Sequence, residues 1–113
     1  MTAHEKTDVL LAYLAANHRS KVDAISSKEL EDALGLSNRE IRRLINRLRS
    51  DACPICSDSG GYYYSDSFRE VDMTIAHLKR QIESMSNAIN GLLKASGALE
   101  AMELVTIEVR VTL

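Results

Sequence analysis

Cys53 and Cys56 form a C-x-x-C pair, the pattern in this sequence that most suggests metal or redox chemistry. Structural zinc needs four ligands and catalytic zinc three, yet the candidate nitrogen ligands are scattered along the chain: His4, His18 and His77. A redox pair of the thioredoxin type sits at a helix start in a βαβ unit, whereas the residues after Cys56 are turn formers. We therefore predict that both cysteines are packing residues and that the protein has no metal or cofactor.

Positive charge is concentrated between residues 38 and 50. This segment holds five arginines and a single acid, a net charge of +4, so the other 100 residues sum to −6. Arginine binds phosphate and can donate two hydrogen bonds to guanine, and asparagine can pair with the edge of adenine. The pattern predicts contact with nucleic acid, in preference to a charged helix face that is merely solvated. The residues concerned are Arg39, Arg42, Arg43, Asn46, Arg47 and Arg49.

The apolar residues of this segment predict the helix that carries the arginines. They recur at intervals of three and four: Ile41, Leu44, Ile45 and Leu48. Ser37 and Glu40 form a capping box in front of them, so the helix should span residues 38–50. At about 100° per residue, the first three arginines and Asn46 then lie opposite the apolar stripe. One face can pack while the other enters a groove.

An earlier helix is predicted over residues 7–16, with Thr7 or Asp8 as its cap. Its buried side should hold Val9, Leu10, Tyr13, Leu14 and Ala16. Residues 17–23 are polar and aperiodic, which is typical of an exposed loop.

A second capping box, Ser26 with Glu29, predicts a short helix that ends at Gly35, where a left-handed C-cap residue is expected. The buried side of this helix should hold Leu30, Ala33 and Leu34. Two short helices joined by a tight turn, the second rich in arginine, have the outline of a helix-turn-helix.

Residues 54–64 predict a β-hairpin, with strands at 54–57 and 62–64 around a glycine turn at 58–61. Alternation places Tyr62 and Tyr64 on one face and Tyr63 on the other. We expect the tyrosines to pack against helices on at least one face. The turn residues Ser59 and Gly60 are the ones expected to contact phosphate.

Residues 25–65 resemble the winged-helix DNA-binding domain of the biotin operon repressor type, through the segments ISSKELEDALGLSNREIRRLINRLR and PICSDSGGYYYS. In that family the first segment holds the second helix, the turn and the recognition helix, and the second closes the wing. The resemblance implies binding of double-stranded DNA, with the third helix in the major groove. We expect Arg39, Arg42, Arg43 and Asn46 nearest the bases, and Lys28, Arg47 and Arg49 nearer the backbone, with Asn38 completing the set. Nothing after the wing resembles the family's ligase or effector domain, so no enzymatic activity is carried over.

A third capping box, Ser67 with Glu70, precedes a long helix predicted over residues 68–96, about 43 Å in length. Its apolar residues recur with heptad spacing: Val71, Ile75, Leu78, Ile82, Met85, Ile89 and Leu92. Isoleucine at the a positions with leucine or methionine at the d positions favours a parallel two-stranded coiled coil. We expect a homodimer, in preference to a helix that folds back on its own domain.

Alternating apolar residues in 104–113 predict a C-terminal strand. Such a strand could pair with its symmetry mate, join the sheet of another protein, or become ordered only on binding. The expected organisation is a winged domain at 1–66, a dimerisation helix at 67–97 and a tail at 98–113.

The chain has 113 residues, with 14 basic against 16 acidic side chains, so only a local patch can attract nucleic acid. It has no apolar run long enough for a membrane span and no signal-like start, and we expect a cytoplasmic protein. The expected fold is mainly α with a small β-hairpin. The leading hypothesis is a small bacterial or phage transcriptional regulator. The alternative is a protein-interaction adaptor that uses the last helix and strand, while no motif favours an enzyme.

Overall fold

The computed structural model describes residues 1–97, which are mainly helical. The elements are the helices α1 (Ala3–Asn17), α2 (Ser27–Leu34), α3 (Asn38–Ser50) and α4 (Phe68–Ser96), a 3-10 turn (Lys21–Asp23), and the strands β1 (Ile55–Asp58) and β2 (Gly61–Tyr64). The expectation of a mainly α fold with one antiparallel hairpin and a long last helix is confirmed. The predicted strand and tail at 98–113 lie outside the described residues.

Helix α1 begins earlier than the sequence indicated. Its N-cap is Thr2, whose side chain accepts a hydrogen bond from the backbone N–H of Glu5 at 3.1 Å. Thr7, one of the expected caps, is instead buried within the helix and donates its hydroxyl to the carbonyl of Ala3. The buried face consists of Thr7, Leu10 and Leu14. Val9, which was expected on the buried side, lies outside this face and is 42% exposed.

The capping box predicted for α3 is complete, whereas only the serine half of the box predicted for α2 is formed. Ser26 and Ser37 each accept a hydrogen bond from the backbone N–H three residues later, and Ser37 with Glu40 makes the complete capping box. Gly35 ends α2 at φ 65°, in the left-handed region, and donates its N–H to the carbonyl of Glu31. Ala33 was expected on the buried side of α2 but is exposed.

The apolar stripe of α3 packs into the centre of the core. All four stripe residues are buried, each 3% exposed or less. The core cluster consists of Leu10, Leu14, Ile25, Leu30, Ile41, Leu44, Ile45, Leu48 and Ile55. Helix α3 therefore contacts both earlier helices with one face, as its periodicity predicted.

The hairpin has a tighter turn than predicted. Asp58 pairs with Gly61 in the antiparallel register, which leaves a two-residue turn. The carboxylate of Asp58 accepts the N–H of Gly60 at 2.8 Å, an Asx-type contact that closes the turn.

The second edge of β2 is also occupied. Ile25 and Tyr62 exchange two backbone hydrogen bonds, of 2.9 and 2.8 Å. The N–H of Tyr64 donates to the carbonyl of His18, and the carbonyl of Tyr64 accepts the N–H of Ser20. The expected exposed loop at 17–23 is thus partly paired with the hairpin. Gly61 lies at the tightest point, because a Cβ there would stand 1.9 Å from the carbonyl oxygen of Ile25.

The cysteines and tyrosines of the hairpin are packing residues, as predicted. Cys56 and Tyr63 are paired in the register and are only 1% and 3% exposed. Cys53, Tyr62 and Tyr64 pack against the core cluster. Burial, followed by the nearby Cys56, raises the pKa of Tyr63 to about 12.

Only half of the third capping box forms at the start of α4. Ser67 accepts the N–H of Glu70 at 3.4 Å, but the Glu70 carboxylate accepts hydrogen bonds from the hydroxyl of Ser65 and the N–H of Lys21. Within residues 1–97 no helix is long and apolar enough to span a membrane.

The chain divides into two compact units, Met1–Thr74 and a second that begins at Ile75. The boundary expected after residue 66 falls earlier than this division, so the first turns of α4 belong to the first unit. Thr74 is buried there, and its hydroxyl accepts the N–H of Ser57 at 3.3 Å.

Candidate nucleic-acid interface

The face of α3 opposite the core carries the predicted cationic residues. Packing of the apolar stripe fixes the rotation of the helix, and the complete capping box fixes its first turn. The residues that this leaves exposed are Arg39, Arg42, Arg43, Asn46 and Arg47. The structure therefore brings together five of the predicted site residues on one solvent-facing surface, which we call the α3 arginine face.

The one acid of α3 is neutralised by α1. The carboxylate of Glu40 accepts a hydrogen bond from Lys6 at 2.8 Å, with both side chains about 30% exposed. This bond, followed by the backbone N–H of Ser37, lowers the pKa of Glu40, so that the carboxylate stays ionised and paired.

No ion pair within residues 1–97 involves the four arginines of the α3 arginine face. Their charge is therefore directed at solvent, and a polyanion can approach it without displacing an internal partner. A convex helix surface with several guanidinium groups suits the floor and walls of a nucleic-acid groove.

Arg49, predicted as a backbone contact, has a different environment. It is half-buried, and its Nε donates to the carbonyl of Ile55 at 2.8 Å while Nη2 donates to the hydroxyl of Ser57 at 3.1 Å. Burial lowers the pKa of its guanidinium. The side chain holds β1 against the end of α3, and it lies outside the α3 arginine face.

Asn38 is likewise engaged inside the protein. Its side-chain amide donates to the hydroxyl of Ser27 and to the carboxylate of Glu31, both on α2. The contact fixes the angle at which α3 follows the turn. Lys28, by contrast, is exposed in the first turn of α2.

Ser59 and Gly60, the turn residues expected to contact phosphate, are exposed to solvent. A nearby acid, Asp58, would oppose an approaching phosphate. Lys21 lies with its Nζ 3.9 Å from the Asp58 carboxylate and offsets that charge. The turn therefore has a cation beside it.

Sequence inspection missed Lys6 and Lys21. Each meets its acid only through the fold, because Lys6 is 34 residues from Glu40 and Lys21 lies far from Asp58 in the chain. No local pattern marks such pairs.

The part of the chain from residue 1 to 97 contains no group of three or more His, Cys, Asp or Glu side chains that could hold a metal ion. Cys53 and Cys56 are free thiols, half-buried and buried respectively.

Comparison of the chain with protein-family models, with curated proteins and with solved structures found no match.

Proposed function

We propose that the protein binds double-stranded DNA in a sequence-specific manner, with α3 in the major groove, and acts as a small transcriptional regulator. The observation that carries this proposal is the α3 arginine face: four arginines without an ion-pair partner among residues 1–97, and one asparagine, on the exposed side of a helix whose other side is buried in the core. It is proposed as a binding protein, not an enzyme.

The arrangement around α3 supports this choice. Helix α2, the left-handed Gly35 and α3 follow one another as in a helix-turn-helix, and an antiparallel hairpin comes directly after α3. That order of elements is the order of a winged helix-turn-helix, a class in which the second helix of the motif enters the major groove.

The residue roles follow from exposure. Arg39, Arg42, Arg43 and Asn46 are proposed to contact bases, because they are exposed together on the side of α3 opposite its buried apolar stripe. Arg47 on α3 and Lys28 on α2 are also exposed and are proposed to contact phosphates, as are Ser59 and Gly60 in the hairpin turn.

Arg49 and Asn38 are proposed to position the interface. Their donors are already bonded to β1 and to α2.

A homodimer is part of the proposal. Helix-turn-helix proteins commonly bind two DNA half-sites as dimers. The heptad seam on α4 supplies the surface for pairing, through Val71, Ile75, Leu78, Ile82, Met85, Ile89 and Leu92.

Selection of bound sequences from a random pool of double-stranded DNA tests the proposal. We expect enrichment of one sequence, repeated as two half-sites if the protein binds as a dimer. Absence of enrichment by the full chain, under conditions where it is folded by circular dichroism, would overturn the DNA-binding proposal and favour the adaptor hypothesis.

A further inference from the structure

Helix α4 exposes a row of apolar side chains along its length. Exposed fractions are 43% for Ile75, 59% for Met85, 44% for Ile89 and 71% for Leu92. Side chains of this size are normally buried, and an exposed row of them marks an interaction surface.

The row extends one seam position, by three residues, beyond the sequence pattern that began at Val71. Phe68 is 72% exposed and lies seven residues before Ile75, so it occupies the same heptad position one repeat earlier. With Val71 it forms a further a and d pair. The four-heptad seam therefore has Phe68, Ile75, Ile82 and Ile89 at a, and Val71, Leu78, Met85 and Leu92 at d. It is about 36 Å long at 1.5 Å per residue.

The composition of the four-heptad seam indicates which kind of helix packs against it. A β-branched residue at three of the four a positions, with leucine or methionine at three of the d positions, is the combination that favours two parallel helices of the same kind. Partner choice between unlike helices is usually set by charges at the flanking e and g positions. Here those positions carry only two charges between Asp72 and Leu93, on Asp72 and Lys79. In a parallel pair, an identical helix therefore brings no like charge against these e and g positions.

Charge also selects the orientation. In a parallel pair, Lys79 at e faces the g position of the second copy, which is the uncharged Thr74. In the antiparallel register that overlaps all four heptads, Phe68 lies beside Leu92 of the second copy, and Lys79 lies opposite Lys79. Like charges across a helix interface are unfavourable, so the parallel arrangement is preferred.

We propose that two copies of the chain pair in parallel along the four-heptad seam from Phe68 to Leu92, which puts the N-terminal ends of their two α4 helices side by side. The inference specifies the homodimer of the proposed function. It is tested without DNA, so its failure and the failure of DNA binding are separate results.

Sedimentation equilibrium of the full chain tests whether a second copy packs on the seam. We expect twice the chain mass of 12.5 kDa for the wild type, and a single chain mass for Ile82→Lys, which places a charge at a central a position. The matched control is Asn87→Lys, which adds the same charge at the f position on the far side of α4 and should remain a dimer. A monomeric wild type, or a dimer that survives Ile82→Lys, would overturn the proposal.

Crosslinking tests the orientation and does not depend on a charged core variant. In a parallel pair the sulfurs introduced by Ile89→Cys face each other, so oxidation by diamide should join the two copies at this position, each thiol giving up one proton and one electron to the diamide. In the antiparallel register position 89 lies opposite position 71, about 27 Å along the axis from its own counterpart. Peptide mapping distinguishes this link from any link through the native cysteines, and Asn87→Cys is the matched control. A dimer without the link at position 89 would overturn the parallel arrangement.

Discussion

Arg49 donates a hydrogen bond from Nε to the carbonyl oxygen of Ile55 at 2.8 Å, which joins the last turn of α3 to the first residue of the hairpin. A second bond, from Nη2, reaches the hydroxyl of Ser57, and the N–H of Ser57 donates to Thr74 on α4. One hydrogen-bonded path therefore runs from α3 through β1 to the start of the long helix. An arginine that sequence alone groups with DNA contacts is part of the internal framework.

Replacing Arg49 should affect stability more than DNA contact. We expect Arg49→Met to lower the free energy of unfolding by about 1–3 kcal/mol, because two acceptors on β1 lose a charged donor. The salt dependence of DNA affinity should keep its slope, since no phosphate contact is lost. Urea unfolding and DNA titration at several salt concentrations measure the two quantities.

Arg47→Met is the matched control for that experiment, because Arg47 is exposed on the same turn. It should leave the unfolding free energy within about 0.5 kcal/mol and reduce the salt slope by about 1. If both variants reduced the slope equally, the internal role of Arg49 would be wrong.

Arg43 is exposed on the α3 arginine face, so its replacement should affect DNA binding and leave folding unchanged. We expect Arg43→Ala to weaken specific binding by about 1–3 kcal/mol and to relax the preference at one base position. Arg80→Ala removes the same charge from an exposed position on α4 and should change affinity little. Equal losses in the two variants would indicate a general charge effect in place of base contact.

Substitution by alanine should change the stability of the protein in opposite directions at two glycines. Gly61→Ala should destabilise the protein by at least about 2 kcal/mol, because φ is 122° there and the new Cβ would clash with the backbone of Ile25. Gly91→Ala meets no atom within 4 Å and lies inside α4, so it should raise helix stability by about 0.5–1 kcal/mol. Thermal unfolding of the two variants and the wild type compares them directly. A stable Gly61→Ala variant would contradict the close approach of β2 to Ile25.

Tyr63 should make the protein sensitive to alkaline pH. Its pKa is raised from 10.0 to about 12 by burial, so the folded state holds the phenolic proton more tightly than the unfolded state. The associated stability is complete below pH 10 and is lost as the pH rises from about 10 to 12, by about 2–3 kcal/mol.

Urea unfolding at pH 8.5 and pH 11 should show about half of this loss, roughly 1.4 kcal/mol, because pH 11 lies midway between the two pKa values. Tyr63→Phe keeps the ring and lacks the titrating hydroxyl, so its stability should fall less over the same interval. Identical pH dependence in the two proteins would show that other groups are responsible.

Much of α3 could be predicted because its determinants are local. The hydroxyl of Ser37, the carboxylate of Glu40 and the apolar stripe lie within about three turns of one another, and each acts on the backbone near it. Gly35 ends α2 by the same kind of local conformational preference.

The features that sequence missed depend on distant parts of the chain. Arg49 is one of five similar arginines in the sequence, and only the position of β1 makes it internal. Lys6 meets Glu40 only after α1 has packed on α3. The early start of α1 was missed because Thr2 precedes a stretch without a clear apolar period, so the cap had no helix pattern to mark it.

The position of β2 has a consequence for the way the chain is made. The strand lies between β1 and the segment around Ile25, so the middle member of this small backbone layer is the last of the three to be synthesised. When residues 61–64 are added to the growing chain, the segments that form α1, α2 and α3 have already been synthesised. Local helix formation can come first, whereas the long-range pairing waits for the whole segment. We therefore expect the pairing of β2 with β1 and with Ile25 to form after the helices when the protein folds.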